Sequence, residues 1–200
     1  MKNSNLKKLM IITVLSGLVL GGGTAFADDD TYLNTDSFAT VQGDVGLARL
    51  DGHSSLAWSG GLGYQWVIAD NFTAGFEGNY LNNGKVNQGN GVQVQSNLIA
   101  PMMVVDFYLT PSVNLMLKGG YGYAMNQYQL LGTVIHSNSW QPVGSVGLDY
   151  LMPVSNLAYL NLFVNATWVN QNTSASQGIV TNAGSVLQNI QYKTGVQFMF

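Results

Sequence analysis

The chain has 200 residues, a formal net charge of −3 and no cysteine, and only 8% of its residues are charged, against about 25% in an ordinary globular domain. Without cysteine, disulfide bonds and thiolate metal sites are excluded. The acidic balance gives no support to nucleic-acid binding, which requires a basic patch. A water-soluble protein of this length would need more charge to cover its surface.

The first residues predict a secretory signal peptide. Three lysines lie in residues 1–8, an apolar run follows over residues 9–20, and residues 25–27 read Ala-Phe-Ala, an A-x-A cleavage pattern. The apolar run is shorter than the roughly 20 residues of a spanning helix, which disfavours a retained anchor. We expect removal of residues 1–27. The remaining chain would keep four Lys or Arg against ten acidic residues.

After the signal, apolar and small polar residues alternate between turn signals, which is typical of strands. We expect residues 28–37, an acidic stretch, to form a short periplasmic leader, and residues 38–200 to form one domain. The fold class predicted is all-β, an eight-stranded antiparallel up-and-down transmembrane barrel. The predicted strands are about 38–49, 54–68, 72–81, 93–109, 113–127, 138–152, 157–169 and 185–200.

The alternation alone does not tell which face points outward. In the second segment Leu56 and Trp58 share one face, whereas Ser59 and Gly61 share the other. A lipocalin-like barrel would turn the apolar face inward. The polar face, however, is built of small residues with almost no Lys or Glu, which suits the narrow interior of an eight-stranded barrel better than a solvent surface.

Aromatic residues on the apolar face recur at a spacing of eight. A strand tilted near 40° climbs roughly 20 Å over eight residues, close to the ~25 Å apolar band between the two aromatic girdles of a transmembrane barrel. The girdle residues predicted are Trp58, Tyr64, Trp66, Phe72, Tyr80 and Tyr192.

The predicted connections also alternate in length. Those at 69–71, 110–112 and 153–156 are short, and the first outer one, near 50–53, is tight as well. The longer, polar connections are expected at 82–92, 128–137 and 170–184. Short periplasmic turns and longer outer loops are the pattern of outer-membrane barrels.

The chain ends in TGVQFMF, with Gly195, Phe198 and Phe200 at fixed offsets. This ending resembles the C-terminal signature of Gram-negative outer-membrane barrels, in which glycine and two free positions precede aromatic-x-aromatic. With the signal and the eight strands, the whole mature chain resembles the small barrels of the OmpA, OmpX and opacity type. Because nothing follows Phe200, the peptidoglycan-binding domain of OmpA is not expected.

The resemblance implies an outer-membrane location and several partners. The C-terminal residues would be recognised by the outer-membrane insertion machinery, and the barrel would contact outer-membrane lipid and lipopolysaccharide. A monomer is the expected form. The resemblance implies no cofactor, and the external ligand stays open.

Six charged residues fall on the predicted inward face: Asp44, Glu77, Asp106, Lys118, Asp149 and Lys193. Folding at Pro111 would place Asp106 opposite Lys118, and closing the barrel would place Asp44 near Lys193. We expect both to form interior ion pairs, with Glu77 and Asp149 bound by hydroxyls, amides or water. A packed polar interior is favoured over a charged pore constriction.

Evidence for catalysis is weak. The two histidines, His53 and His136, lie in or beside predicted outer loops. The sequence HSNS at 136–139 faintly resembles the His-x-Ser-Asn of lipid A deacylases, but Asn138 stands where the serine should be. No catalytic or metal site is predicted. We expect a non-enzymatic scaffold whose surface loops serve adhesion or interaction; the alternatives are a narrow OmpW-like channel for small apolar molecules and, third, a lipid A-modifying enzyme.

Overall fold

The computed structural model describes residues 36–50, 53–87, 92–130, 133–155, 158–171 and 187–200. The predicted signal peptide, most of the acidic leader and most of the connection at 170–184 lie outside the described residues. No helix in the described ranges is long and apolar enough to cross a membrane. The strands are β1 Ser37–Leu50, β2 His53–Ala69, β3 Phe72–Asn87, β4 Val92–Thr110, β5 Val113–Leu130, β6 Thr133–Ser155, β7 Ala158–Gln171 and β8 Leu187–Met199.

The eight strands close into a barrel. Each strand pairs antiparallel with the next, and β8 pairs with β1. The last residue completes the ring: the backbone N–H of Ala39 donates to the carbonyl of Phe200 at 2.8 Å, and the N–H of Phe200 donates to the carbonyl of Ala39 at 3.0 Å. The predicted fold class is therefore confirmed.

The apolar faces of the alternating strands point outward, and in β4, which is apolar on both faces, Met102 and Val104 point inward. Leu56 is 69% exposed and Trp140 63%, whereas polar neighbours such as Gln65 and Thr73 are buried inside. Side chains alternate across a strand, so a single choice of face orients the whole segment. The inverted, lipocalin-like arrangement is therefore wrong for this chain.

Two of the predicted outer loops are wrong. Most of residues 82–92 and 128–137 belong to strands, because β3 continues to Asn87, β4 begins at Val92, β5 continues to Leu130 and β6 begins at Thr133. Most of the polar residues that suggested loops lie on the outer face of strands that continue above the apolar band, whereas Asn83 is buried inside. Their inner face carries Val86 and Val94, which are buried and pack with Tyr128, so these extensions have an apolar side to bury.

Gly195, in the C-terminal signature, also has a packing role. It lies opposite Phe163 of β7. A Cβ at this position would lie 2.6 Å from the ring carbon Cζ of Phe163 and closer still to the backbone carbonyl of Gly43. Only a residue without a side chain allows Phe163 to pack against β8 and β1 to approach it.

We expect Gly195→Ala to lower the free energy of unfolding by roughly 1–3 kcal/mol, because the added methyl group overpacks a filled site. The matched control is Gly78→Ala, since a Cβ at Gly78 meets nothing within 4 Å. The measurement is urea unfolding in detergent micelles, read by the fraction that resists SDS without heating. Equal unfolding midpoints for the two variants would contradict this role of Gly195.

Candidate functional site

A polar layer crosses the middle of the barrel. The Nζ atom of Lys118 lies 2.9 and 2.8 Å from the two carboxylate oxygens of Glu77 and 2.9 Å from Oε1 of Gln42. Gln42 in turn donates to Glu77 at 2.7 Å and to Asn79 at 2.8 Å. All four side chains are buried. Strands β1, β3 and β5 are thereby linked through the interior.

The predicted pair of Asp106 with Lys118 is wrong, since Lys118 pairs with Glu77 instead. In register, Lys118 faces Val104 and Asp106 faces Met116, so the two are not direct neighbours. The lumen is narrow, and a lysine side chain reaches across it to a strand that is not adjacent. Strand adjacency, the only geometry that the sequence offers, does not reveal such a contact.

The predicted pair of Asp44 with Lys193 is present, with Nζ and Oδ2 3.4 Å apart. Ser59 completes this group: its hydroxyl donates to Asp44 at 2.5 Å and accepts from Lys193 at 2.6 Å. A hydrogen-bonded serine between the charges compensates for the longer ion-pair distance. This second group links β8, β1 and β2.

Two buried carboxylates have no lysine partner within ion-pair distance. Asp149 accepts a long hydrogen bond of 3.4 Å from Nδ2 of Asn114, in line with the expectation of an amide partner. Asp106 lies beside Thr73 and Gln65, whose side chains are themselves hydrogen-bonded at 2.8 Å. The six interior positions are thus four carboxylates and two lysines. The two carboxylates without a lysine partner, Asp106 and Asp149, lie toward the end of the barrel with the short turns.

The sequence predicted a packed polar interior, but the structure shows that part of the interior is apolar. An apolar layer lies above the polar one, at the end of the barrel from which the long hairpins extend; its residues are Leu81, Leu98, Ala100, Met102, Ala124, Val143 and Val169. A second apolar layer lies below it, toward the short turns, and consists of Phe38, Tyr108, Leu151, Tyr159 and Met199.

Little free space remains between these layers. The cavity at mid-barrel, which touches Asp44, Glu77, Lys118 and Lys193, has a volume of about 10 Å³, room for roughly one water molecule. Side chains therefore fill the described lumen, as expected for eight strands.

Above the barrel, strands β3 to β6 form what we call the protruding sheet (residues 82–87, 92–97, 126–130 and 133–139). Its lower boundary is marked on the outer face, where exposed aromatic or aliphatic residues give way to Asn and Gln. The change occurs between Tyr80 and Asn82, and between Trp140 and Asn138. Asn82 and Asn97 are hydrogen-bonded to each other at 2.8 Å on this surface. Apart from Val134, which is 43% exposed, the outer face of the protruding sheet carries polar side chains, chiefly amides, which suit water and not hydrocarbon.

The protruding sheet has an open edge on β6. β6 pairs with β7 only from Val143 onward, so residues 133–140 have no partner on that side among the described strands. Pro142 stands where the pairing stops. Pro142 pairs with Tyr121 of β5 without interrupting the ladder. Because proline has no N–H to donate, its backbone nitrogen must face β7 and not β5. By the two-residue period, the N–H groups of Asn138 and Trp140 also point to the open edge.

Pro101 in β4, unlike Pro142, interrupts the ladder to its neighbouring strand β5. The ladder between β4 and β5 skips Ala100 and Pro101, because here the missing N–H points into the ladder. Neither of these prolines nor the protruding sheet was predicted from the sequence. The alternation in VQVQS at residues 92–96 was the available signal.

The predicted girdle residues lie on the outer surface in two groups. Trp58 contacts Tyr80 at a ring-centroid distance of 5.4 Å near the outer end. Near the other end, Trp66 contacts Tyr64 at 5.1 Å, and Phe72 contacts Phe107 at 5.0 Å. The sixth predicted girdle residue is Tyr192, which is exposed. Phe198 and Phe200 of the C-terminal signature are exposed as well.

The histidines do not form a catalytic group. His136 belongs to β6, where it is exposed on the outer face, and Ser139 lies on the inner face and accepts a hydrogen bond from Gln141 at 2.5 Å. His53 begins β2 on the opposite side of the barrel mouth. Both histidines therefore lie in strands and not in loops. Within the described ranges, no group of His, Asp and Glu could hold a metal ion.

Solved structures of other proteins share this architecture. The structure of Ail, the attachment invasion locus protein of Yersinia pestis, solved in complex with the heparin analogue sucrose octasulfate, matches with a TM-score of 0.53 at 10% identity, covering 82% of this chain and 97% of Ail. Neisserial surface protein A matches with a TM-score of 0.52 at 13% identity, covering 83% and 98%. No protein-family model and no curated protein matches the sequence.

The chain has the fold of the small eight-stranded outer-membrane β-barrels. Its exterior agrees with that fold, because the exposed apolar band and the two aromatic groups are the features that contact lipid and its interfaces. At 10–13% identity, the comparisons support the architecture of the barrel and not the role of any residue.

The pairing of Lys118 with Glu77 can be tested in this barrel. We expect Lys118→Met to lower the free energy of unfolding by roughly 3–5 kcal/mol, because it leaves a buried carboxylate without its cation. Adding Glu77→Gln should restore most of the loss. Adding Asp106→Asn instead is the matched control and should restore little. Urea unfolding in micelles provides the comparison, and a larger rescue by Asp106→Asn would contradict the observed pairing.

Proposed function

We propose that this protein is an integral outer-membrane protein that acts as a closed structural scaffold and holds the protruding sheet outside the cell for adhesion or protein interaction. The observation that carries the proposal is the open edge of β6, residues 133–140, on a sheet that continues beyond the apolar band. A strand edge is a ready acceptor for an extended segment of another protein.

The sheet is suited to this role because it is held rigidly. Its inner face buries Val86 and Val94, and its base continues without a break into the membrane-embedded strands. A binding segment would therefore lose little free energy in ordering its receptor. The fold neighbour Ail is by its name an attachment protein, which agrees with the proposed role.

The alternative function, a narrow channel, is less well supported. A path along the axis would have to pass two apolar layers and the hydrogen-bonded polar layer between them. A lipid A-modifying activity is the least supported, since the one pair of residues that suggested it lies on opposite faces of β6.

We expect the purified protein to give no current steps in planar lipid bilayers, because the interior is filled. Lys118→Met should also stay closed, since both apolar layers remain intact. A large porin in the same bilayers serves as the positive control. Current steps in the wild type that change in Lys118→Met would favour the channel over the scaffold.

The open edge can be tested with Asn138→Pro. This substitution removes one N–H from the edge and leaves the pairing with β5 intact, as Pro142 already does. We expect the adherence of expressing cells to a surface coated with extracellular-matrix proteins to fall several-fold. Asn138→Ala, which removes the amide side chain but keeps the N–H, should adhere like the wild type. Equal loss in both variants, at equal surface expression, would assign binding to the side chain and not to the edge.

A further inference from the structure

One strand pairing in the barrel has no connecting segment to limit its register. Each of the other seven pairings joins strands that follow one another in the chain, so a turn or loop restricts which residues can face each other. β1 and β8 are the first and last described strands, and no turn joins them. We call their pairing the seam; it runs from Thr40 opposite Met199 to Leu50 opposite Asn189. Side chains must therefore set its register.

Two shifted registers compete with the observed seam. A shift of one residue would turn the apolar face of β8 inward, and the alternation of the two strands excludes it. A shift of two residues in either direction keeps every side chain on its own face. The backbone hydrogen bonds do not choose among the three registers, because every residue of both strands carries the same N–H and C=O groups.

On the inner face of the seam, two charged residues each lie opposite a glycine. Asp44 faces Gly195, and Lys193 faces Gly46. The glycines leave room for the charged groups to meet diagonally, with Nζ and Oδ2 3.4 Å apart and the hydroxyl of Ser59 bonded to both. A Cβ at Gly46 would lie 2.7 Å from the Cα atom of Lys193, so the close approach of the two strands also depends on glycine.

An upward shift, which moves β8 two residues toward the protruding sheet, would separate the ion pair. It would place Gly195 opposite Gly46 and Lys193 opposite Ala48, as the observed register implies. Lys193 would then be offset from Asp44 by four residues, about 13 Å along the strand. Two charges would be buried without partners, which is costly in a narrow lumen.

A downward shift, which moves β8 two residues toward the short turns, would place Gly195 opposite Gln42. In the observed register the ring of Phe163 packs over Gly195, where an added Cβ would lie 2.6 Å both from Cζ of the ring and from Cβ of Asp44. After the shift the ring would meet the longer side chain of Gln42. Gln42 donates to Glu77 at 2.7 Å and could not move aside without losing this bond.

We propose that the group formed by Asp44, Ser59 and Lys193, together with Gly46 and Gly195, sets the register in which β8 closes on β1. These are positioning residues, since they act on the alignment of two strands. Buried polar groups have their best-attested role in specifying such registers. The pair of Lys118 with Glu77 joins β5 and β3, so its ion pair lies outside the seam.

Pairs of introduced cysteines can report the register, because the chain has no cysteine of its own. Val196→Cys is combined with Gly43→Cys for the observed register, with Val45→Cys for the upward shift and with Val41→Cys for the downward shift. All four positions lie on the outer face. Residues opposite each other in a hydrogen-bonded pair have Cα atoms about 5.5 Å apart, which suits a disulfide.

The full chain is expressed in a Gram-negative host, the outer-membrane fraction is oxidised with copper phenanthroline, and the cross-linked fraction is read on boiled, nonreducing gels. The test variant is Asp44→Asn/Lys193→Met, which removes both charges and leaves no ion of this pair unpaired. We expect the ratio of the upward-shift cross-link to the observed-register cross-link to rise about tenfold, the change that 1.4 kcal/mol produces.

The matched control is Glu77→Gln/Lys118→Met, which removes the ion pair outside the seam. Its ratio should stay within about twofold of the wild type, because distant sites act nearly independently. An unchanged ratio in the test variant would overturn the proposal. An equal rise in the control would overturn it as well, since the loss of any interior ion pair would then loosen the seam.

A test variant that fails to fold would be examined with the seam locked. The purified chain carrying Gly43→Cys/Val196→Cys, oxidised before refolding, should then recover a barrel that resists SDS without heating, because the disulfide imposes the observed register. If the locked chain also fails to fold, the defect does not lie in the register and the proposal is wrong. The open edge of β6 lies outside the seam, so the proposed scaffold is tested separately.

Discussion

The structure depends on one constraint: within hydrocarbon, every backbone N–H and C=O must find a partner inside the protein. Closure of β8 on β1 satisfies this requirement around the ring. The final residue takes part in closure through two backbone hydrogen bonds with Ala39. Residues 133–140 of β6, which have no partner on the β7 side among the described strands, lie above the apolar band, where water can satisfy their backbone groups.

Closure around eight strands also determines the interior. The lumen is too narrow for bulk water, so charged side chains there must be bound by other side chains. Lys118 with Glu77 and Lys193 with Asp44 form two such groups, and apolar layers above and below separate them from both mouths. The first pair joins β5 and β3, which are not neighbours in the sheet, and the second joins the neighbouring strands β8 and β1. A filled lumen of this kind fits a scaffold better than a channel.

On the outer surface, the type of exposed residue changes along the barrel axis. A band of exposed aliphatic and aromatic residues faces lipid, amides face water on the protruding sheet, and the exposed charges of the described residues lie at the two rims. The open edge of β6 lies on the protruding sheet, beyond the apolar band.

The sequence by itself determined the fold class, the outward direction of the apolar faces and the burial of the six charges, because each depends on a two-residue period within one strand. The pairing of Asp44 with Lys193 was also within reach, since it joins adjacent strands. Only the tertiary structure decided that Lys118 contacts Glu77, because that contact crosses the lumen between strands that are not neighbours. It also decided that the residues predicted as loops at 82–92 and 128–137 continue as strands: Val86, Val94 and Tyr128 become an apolar face only when three strands align them.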